Sequence, residues 1–338
     1  MSKSFSAVFL PVLATLLGAI APAWGISEKG YEAAYLITIV PFVNHGDAFT
    51  FTTRDGTSLS AVRFVHPQSR GTIVVVSGRS ETWLKYGEVF YDLYRRGFTL
   101  YSYDHRGQGR SPHLVSSNRQ IGHIDDFDHY SEDLEDFVAK VVVPAGEPRL
   151  FLLAHSMGGA VAAQYLAHGA TPFRAAVLSS PMLTINTKPY ATPIAKAITW
   201  LEIGAGRDEE YAPGKTDWDP GLPFEKNDVT GSPERFWMSG AVFRMYPETT
   251  IGGPSNGWVY RSLMATPRIV RRMKAIRTPL LMFQAGSDQI VKPKGENDGC
   301  AAAAHCTLVV VPGSQHEILM EKDAIRDPAI EAIDRFFR

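Results

Sequence analysis

The residues best suited to chemistry lie in Leu150-Phe-Leu-Leu-Ala-His-Ser-Met-Gly-Gly-Ala160. Apolar residues run straight into Ser156, and small residues follow it. A strand that turns sharply into a helix lifts the hydroxyl above the strand ends. Such a turn is crowded, so the positions two before and two after must be small; they are Ala154 and Gly158. Glycine is usual at the first of these, so Ala154 is a mild departure. A serine hydroxyl is a weak nucleophile until a base takes its proton. His316, in Pro312-Gly-Ser-Gln-His-Glu317, follows the last apolar strand and is placed to be that base. Asp288, at the end of Leu281-Met-Phe-Gln-Ala-Gly-Ser-Asp288, is placed to fix the imidazole tautomer and to stabilise the imidazolium. An aspartate there also suits a plain turn, and Asp298 is the weaker alternative. His155 adjoins the serine in sequence, but a turn of this kind sends neighbouring side chains in different directions. His105, His113 and His123 precede Ser156 in other loops. The order Ser, Asp, His is that of one strand-to-helix serine site among several unrelated ones.

Acyl transfer also needs donors for a developing oxyanion. The peptide N–H of Met157 is one. The other is expected from Ser77-Gly-Arg-Ser-Glu81, where Gly78 allows close approach and Arg79 supplies the N–H. The Arg79 side chain could reach an anionic substrate group or lie solvated.

These residues need a scaffold that ends several strands at one edge. Phe49–Arg54 and Leu59–Val65 around Asp55-Gly56 read as a hairpin. Thr72–Ser77, Phe98–Tyr103, Arg149–Ala154, Ala175–Ser179, Pro279–Gln284 and Thr307–Val311 read as strands. Helical spacing falls over Trp83–Arg96, Phe127–Val141, Met157–His168, Arg268–Ile276 and Ala324–Phe337. A hairpin followed by alternating strands and helices implies an α/β, mostly parallel, doubly wound sheet. The alternation stops between about Met182 and Ala265, a stretch too long for a bare loop and expected to be a structured insertion. The division that follows is a leader at 1–25, a linker at 26–48, core at 49–182, insertion at 183–265 and core again at 266–338.

The chain has 338 residues, enough for one large domain with an insertion or for two small domains. A net charge of −1 provides no field to recruit nucleic acid. Between Lys3 and Glu28 no charge appears, and Ala21-Pro-Ala23 offers small residues for cleavage after Ala23 or Gly25. This reads as an export signal, so the chain is expected to be exported, periplasmic or membrane-associated. The alternative is an inner-membrane anchor over residues 5–24. Cys300 and Cys306 are the only cysteines and have no metal-ligand set around them. A local disulfide is open to them after export, unless one continuous helix turns them apart. No cofactor and no metal is called for.

Several strings resemble the lysophospholipase L2 family, in the monoglyceride-lipase-like branch of the α/β hydrolases often filed with serine aminopeptidases. They are Ser77–Tyr86, Asp104-His-Arg-Gly-Gln-Gly-Arg-Ser111, Ala154–Gly159, Ile251-Gly-Gly-Pro-Ser-Asn-Gly-Trp258 and His316-Glu-Ile-Leu-Met-Glu-Lys-Asp323. The resemblance runs from about residue 49 to the end. It implies an α/β-hydrolase fold with an eight-stranded type of sheet and a cap inserted between Ser179 and Pro279. It implies hydrolysis of a lysophospholipid acyl ester, with acyl transfer to a lipid alcohol as a variant, by the triad placed above. The substrate would be a lipid or other acyl ester, and peripheral membrane contact is open to the chain. Trp200, Trp218, Phe236, Trp237, Met238, Phe243 and Met245 could line an acyl pocket or form the cap's own core. Arg207, Arg244 and Arg261 could meet a phosphate or be surface charges. Alternatives are a monoacylglycerol lipase, a carboxylesterase, a small peptidase or a non-catalytic lipid-binding relative. Dehalogenases and epoxide hydrolases are disfavoured, because they carry aspartate where Ser156 stands.

Overall fold

The structure is a computed structural model that describes residues 25–147 and 149–338. The expected leader lies, except for Gly25, outside the described residues. Eight strands form one sheet: β1 (Asp47–Thr52), β2 (Ser58–Phe64), β3 (Thr72–Val76), β4 (Thr99–Tyr103), β5 (Leu150–His155), β6 (Phe173–Ser179), β7 (Leu280–Ala285) and β8 (Cys306–Val311). Their order is β1-β2-β4-β3-β5-β6-β7-β8. The β1–β2 and β2–β4 pairs are antiparallel, and every other pair is parallel. This is the mostly parallel sheet that the strand and helix alternation implies, in the α/β-hydrolase architecture that the resemblance implies.

β3, β4, β5 and β7 are buried along their whole length, as parallel strands covered on both faces must be. One face packs on helices α1 (Gly87–Arg95) and α8 (Asp323–Phe336) through Val89, Phe90, Leu93, Ile330 and Ile333. The other packs on α2 (Asp128–Phe137), α3 (Ser156–Leu166) and α6 (Asn256–Arg272) through Leu134, Phe137, Val161 and Ile269. The chain leaves β3 for β4 on one side and returns to β5 on the other. Ligands of open α/β sheets bind at the carboxyl ends of strands where the order reverses in this way.

Two details differ from the sequence reading, and a third answers a question it leaves open. The stretch 26–48 is helical over residues 31–44 rather than a linker, and buries Tyr31, Tyr35 and Ile39. Their four-residue spacing is a helical period, but exposed Leu36 and Ile37 beside them obscure it. Helix α6 begins at Asn256 and runs through residue 265, so no break in the backbone marks the proposed end of the insertion. Cys300 and Cys306 are bonded, with Cα atoms 5.3 Å apart. Helix α7 (Pro293–Ala302) ends before Cys306 opens β8, so the cysteines do not share one helix. Among the described residues, no helix is long and apolar enough to cross a membrane.

The insertion contributes α4 (Thr192–Gly204), α5 (Pro233–Met245) and the start of α6. A buried charge cluster fixes α5 to the core. Arg235 donates to both oxygens of Glu88 at 3.0 and 2.9 Å, to Asp323 at 2.8 Å and to the Glu321 carbonyl at 2.8 Å. Tyr31 donates to Glu88 at 2.6 Å, and Arg326 pairs with Asp92. One cluster therefore joins the N-terminal helical stretch, α1, α5 and α8. Removing one partner of such a cluster strands the others in the interior. Arg235→Ala should lower unfolding free energy by about 3–5 kcal/mol in denaturant titration. A loss below about 1 kcal/mol would show that the cluster does not hold the cap.

Candidate active site

Ser156 sits at the β5–α3 junction with φ +52°, a left-handed conformation disfavoured for a side chain other than glycine. The surrounding packing holds it there. A Cβ on Gly158 would lie 2.4 Å from the Ser77 carbonyl oxygen and 2.5 Å from that of Val76, so residue 158 tolerates no side chain. A Cβ on Gly159 would lie 2.7 Å from Pro181 Cβ. Ala154 is fully buried, paired with Val76 and Leu178, and the turn forms despite its methyl group.

The loops after β7 and β8 bring the other two residues to the serine. His316 Nε2 lies 2.8 Å from Ser156 Oγ, and His316 Nδ1 lies 2.7 Å from Asp288 Oδ2. A carboxylate only accepts, so Nδ1 carries the proton and Nε2 is free to accept from the serine hydroxyl. The other Asp288 oxygen accepts from the Ile290 and Val291 N–H groups at 2.7 and 2.9 Å. Burial alone would raise the Asp288 pKa, but His316 and these two N–H groups outweigh it and hold the carboxyl below its usual range. Nearby Glu296 is pushed up to about 8, chiefly by burial, so near neutral pH it is mostly uncharged beside Asp288. Asp298 instead pairs with Lys294 on the exposed face of α7.

The loop after β3 approaches Ser156 closely: a Cβ on Gly78 would meet Ser156 Cβ at 3.2 Å. The N–H groups flanking Arg79 are both engaged, Gly78 with the Glu81 carboxylate and Ser80 with Gln108 Oε1. The Arg79 N–H lies between them. Met157 is in the first turn of α3, where N–H groups have no intrahelical acceptor. The Asp104–Ser111 string clamps this loop. Gln108 Nε2 donates to the Gly78 and Glu81 carbonyls, at 2.8 and 2.9 Å. His105 Nε2 donates to the Ser77 carbonyl at 3.1 Å. Asp104 accepts from Thr82 Oγ1, Trp83 N–H and Arg110 N–H.

Behind the loop lies a charge group that the sequence reading did not assign. Lys85 Nζ bridges Glu81 at 2.7 Å and Glu317 at 2.6 Å. Ligand atoms of Glu81, Glu317 and His155 lie within 4.8 Å of one another. The Lys85 ammonium already supplies the positive charge such a cluster needs. Burial opposes ionisation of Glu81, yet Lys85 above all, with the Tyr86 hydroxyl, holds it down at about 2. Glu81 and Lys85 lie in Ser77–Tyr86 and Glu317 in His316–Asp323, two of the strings that carry the family resemblance.

His155 Nδ1 donates to the Ser179 carbonyl at 3.1 Å, and its ring packs 4.9 Å from that of His316. Burial pushes His155 down to about 4. It is therefore uncharged near neutral pH and adds no positive charge beside His316. The unfolded chain takes up this proton near 6.5. The folded chain resists it to about 4, so His155 removes stability as pH falls through that window. Followed by ring-nitrogen NMR, His155 should stay neutral until the pH approaches about 4. A transition near neutral pH would contradict the placement.

The triad opens into a cavity of about 910 Å³ beneath the insertion. Of the seven aromatic and methionine candidates, Trp218, Phe236, Trp237 and Phe243 line it. Trp200 and Met245 face solvent, and Met238 packs on the Tyr31–Ile39 cluster. Arg207 pairs with Glu202 and Arg261 with Asp208, whereas exposed Arg244 and partly buried Arg79 line the cavity.

The model of the family described as serine aminopeptidase, S33, matches residues 67–323. Lysophospholipase L2 of Escherichia coli (strain K12) is 32% identical over 321 residues, covering 93% of this chain and 94% of that protein. The probable lysophospholipase L2 of Haemophilus influenzae is 31% identical, covering 92% and 98%. A thermostable carboxyl esterase from Bacillus coagulans, solved with glycerol, shares the fold with a TM-score of 0.69 at 20% identity, covering 86% of this chain and 97% of that one. With its strand-to-helix serine and its α/β sheet, the chain belongs to the serine aminopeptidase S33 family.

Proposed function

We propose that this chain is a lysophospholipase: a serine hydrolase that releases the fatty acid of a lysophospholipid through an acyl-enzyme. The observation that carries the reading is the Ser156–His316–Asp288 chain of hydrogen bonds, opening into a large cavity with an aromatic wall. The similarity to lysophospholipases L2 along nearly the whole chain supports the substrate class.

In the first half-reaction Ser156 Oγ attacks the ester carbonyl carbon and His316 Nε2 takes its proton. The carbonyl oxygen becomes an oxyanion facing the N–H groups of Arg79 and Met157. His316 then protonates the departing glycerol oxygen as the ester bond breaks. In the second half-reaction water loses a proton to His316 and attacks the acyl-serine. The fatty acid leaves, and the proton returns to Ser156. Asp288 holds the imidazole and stabilises its charged form throughout.

Exported placement is part of the proposal. The uncharged run from Ser4 to Ser27 supports it, and so does the Cys300–Cys306 bond, since oxidising compartments preserve such bonds. Exposed Ile194, Trp200 and Leu201 on α4 would suit a passing contact with a lipid surface. Cell fractionation should find the protein outside the cytoplasm; cytoplasmic recovery of the full-length chain would contradict this.

Fatty-acid release from lysophosphatidylcholine, monoacylglycerol and a short p-nitrophenyl ester tests the substrate class. Lysophosphatidylcholine should have the highest kcat/KM, and Ser156→Ala should lower kcat on it by on the order of a million-fold. Preference for monoacylglycerol would make the enzyme a monoacylglycerol lipase. Good turnover of the short ester alone would count against a lipid substrate.

A further inference from the structure

Arg79 is placed unlike the other cations of the cavity. Lys188, Lys215 and Arg244 line it from exposed positions, and Lys85 is spent on Glu81 and Glu317. Arg79 lies inside, on the loop that touches Ser156, and among the described residues no carboxylate pairs with it. Its Nη1 donates to the Gly252 carbonyl at 3.0 Å, and its guanidinium lies 5.3 Å from the Trp258 ring centroid. Nε and Nη2 have no protein acceptor among the described residues. Burial pushes the group down to about 10, opposed only by the neighbouring tyrosines, and it remains charged near neutral pH.

The Ile251–Trp258 string explains how this side chain is held. The Gly252 carbonyl receives Arg79 Nη1 and Ser80 Oγ together. A Cβ on Gly252 would lie 2.5 Å from the Thr216 carbonyl oxygen, so glycine is required for that approach. A Cβ on Gly122 would lie 3.1 Å from Arg79 Nη1, so the opposite wall is close as well. Two glycines, a backbone carbonyl and a tryptophan therefore hold a cation beside the nucleophile. Burying a charge without a counter-ion is costly, and an anionic ligand removes that cost.

We propose that the Arg79 guanidinium binds the phosphate of the substrate, so that the site selects phosphate-bearing acyl glycerols over neutral ones. In a 1-acyl lysophospholipid one glycerol unit separates the ester carbonyl from the phosphate. In Arg79 one side chain separates the peptide N–H facing the oxyanion from the guanidinium. A single residue thus faces both ends of the glycerol unit. The planar fork suits two phosphate oxygens, which a lysine would meet only as a point charge. This assignment rests on the proposed lysophospholipase reading for its natural ligand.

The test uses the full chain and its Arg79→Gln and Arg79→Lys variants. The first readout is the ratio of kcat/KM on a lysophospholipid to that on a monoacylglycerol of the same acyl chain. Arg79→Gln should lower this ratio by about tenfold to a hundredfold, mostly through KM, and Arg79→Lys should recover part of it. A merely structural role lowers both rates together and leaves the ratio in place, which would overturn the proposal. The second readout does not depend on lysophospholipase activity. Dodecyl phosphate should inhibit turnover of a short p-nitrophenyl ester more strongly than dodecanol does, and Arg79→Gln should erase that difference. If the difference survives, Arg79 is not the phosphate site, whatever the natural substrate. If wild type ignores lysophospholipids yet the difference is erased in the variant, the phosphate site stands and the lysophospholipase reading falls. Inorganic phosphate inhibiting as well as dodecyl phosphate would overturn a lipid headgroup as the ligand.

Discussion

The site depends on a backbone-to-backbone contact between the carboxyl ends of β3 and β5. Residue 158 can lie against the Val76 and Ser77 carbonyls only because it is glycine. That approach brings the start of α3 under the loop after β3 and leaves Ser156 in a left-handed turn, its hydroxyl facing His316. Glycine at 78 extends the same approach to the serine side chain. Strain of order 1–3 kcal/mol at such a residue persists only where its surroundings over-determine it. Here two buried parallel strands do so, aligned through the Val76–Ala154 pairing.

Around that contact, charge is arranged so that each buried group has a defined state. Asp288 is kept ionised by His316 and two backbone N–H groups, while Glu296 nearby is kept mostly neutral by burial. His155, beside the base, is also neutral and donates to a backbone carbonyl. Lys85 bridges the Glu81 and Glu317 carboxylates behind the loop after β3, and Glu81 in turn holds the Gly78 N–H. The result is an imidazole that donates from Nδ1 to Asp288 and accepts at Nε2 from the Ser156 hydroxyl. Further out, the Arg235–Glu88 cluster fixes the insertion helix that roofs the cavity.

Much of this was legible in the sequence because it rests on local pattern. A hairpin pattern around Asp55-Gly56 marked β1 and β2, apolar runs marked the other six strands, and the order Ser156, Asp288, His316 followed from which loop each residue ends. What escaped lies in contacts that local pattern does not encode. Lys85 meets Glu317 across 232 positions of the chain, and Arg235 meets Glu88 across 147. The N-terminal helix escaped because its buried residues are interleaved with equally apolar exposed ones. The division of pocket from cap core also escaped: Phe236, Trp237 and Met238 are consecutive, yet the first two line the cavity and the third faces the N-terminal cluster. Helical rotation decides between them, and composition does not.

The central claim is that Ser156, deprotonated by His316, forms the covalent intermediate. Its most direct test is intact-mass and peptide mass spectrometry after reaction with a fluorophosphonate. The account predicts one adduct per chain, on the peptide containing Ser156, forming far more slowly in His316→Ala. An adduct on another serine, or none on the folded wild-type protein, would contradict it.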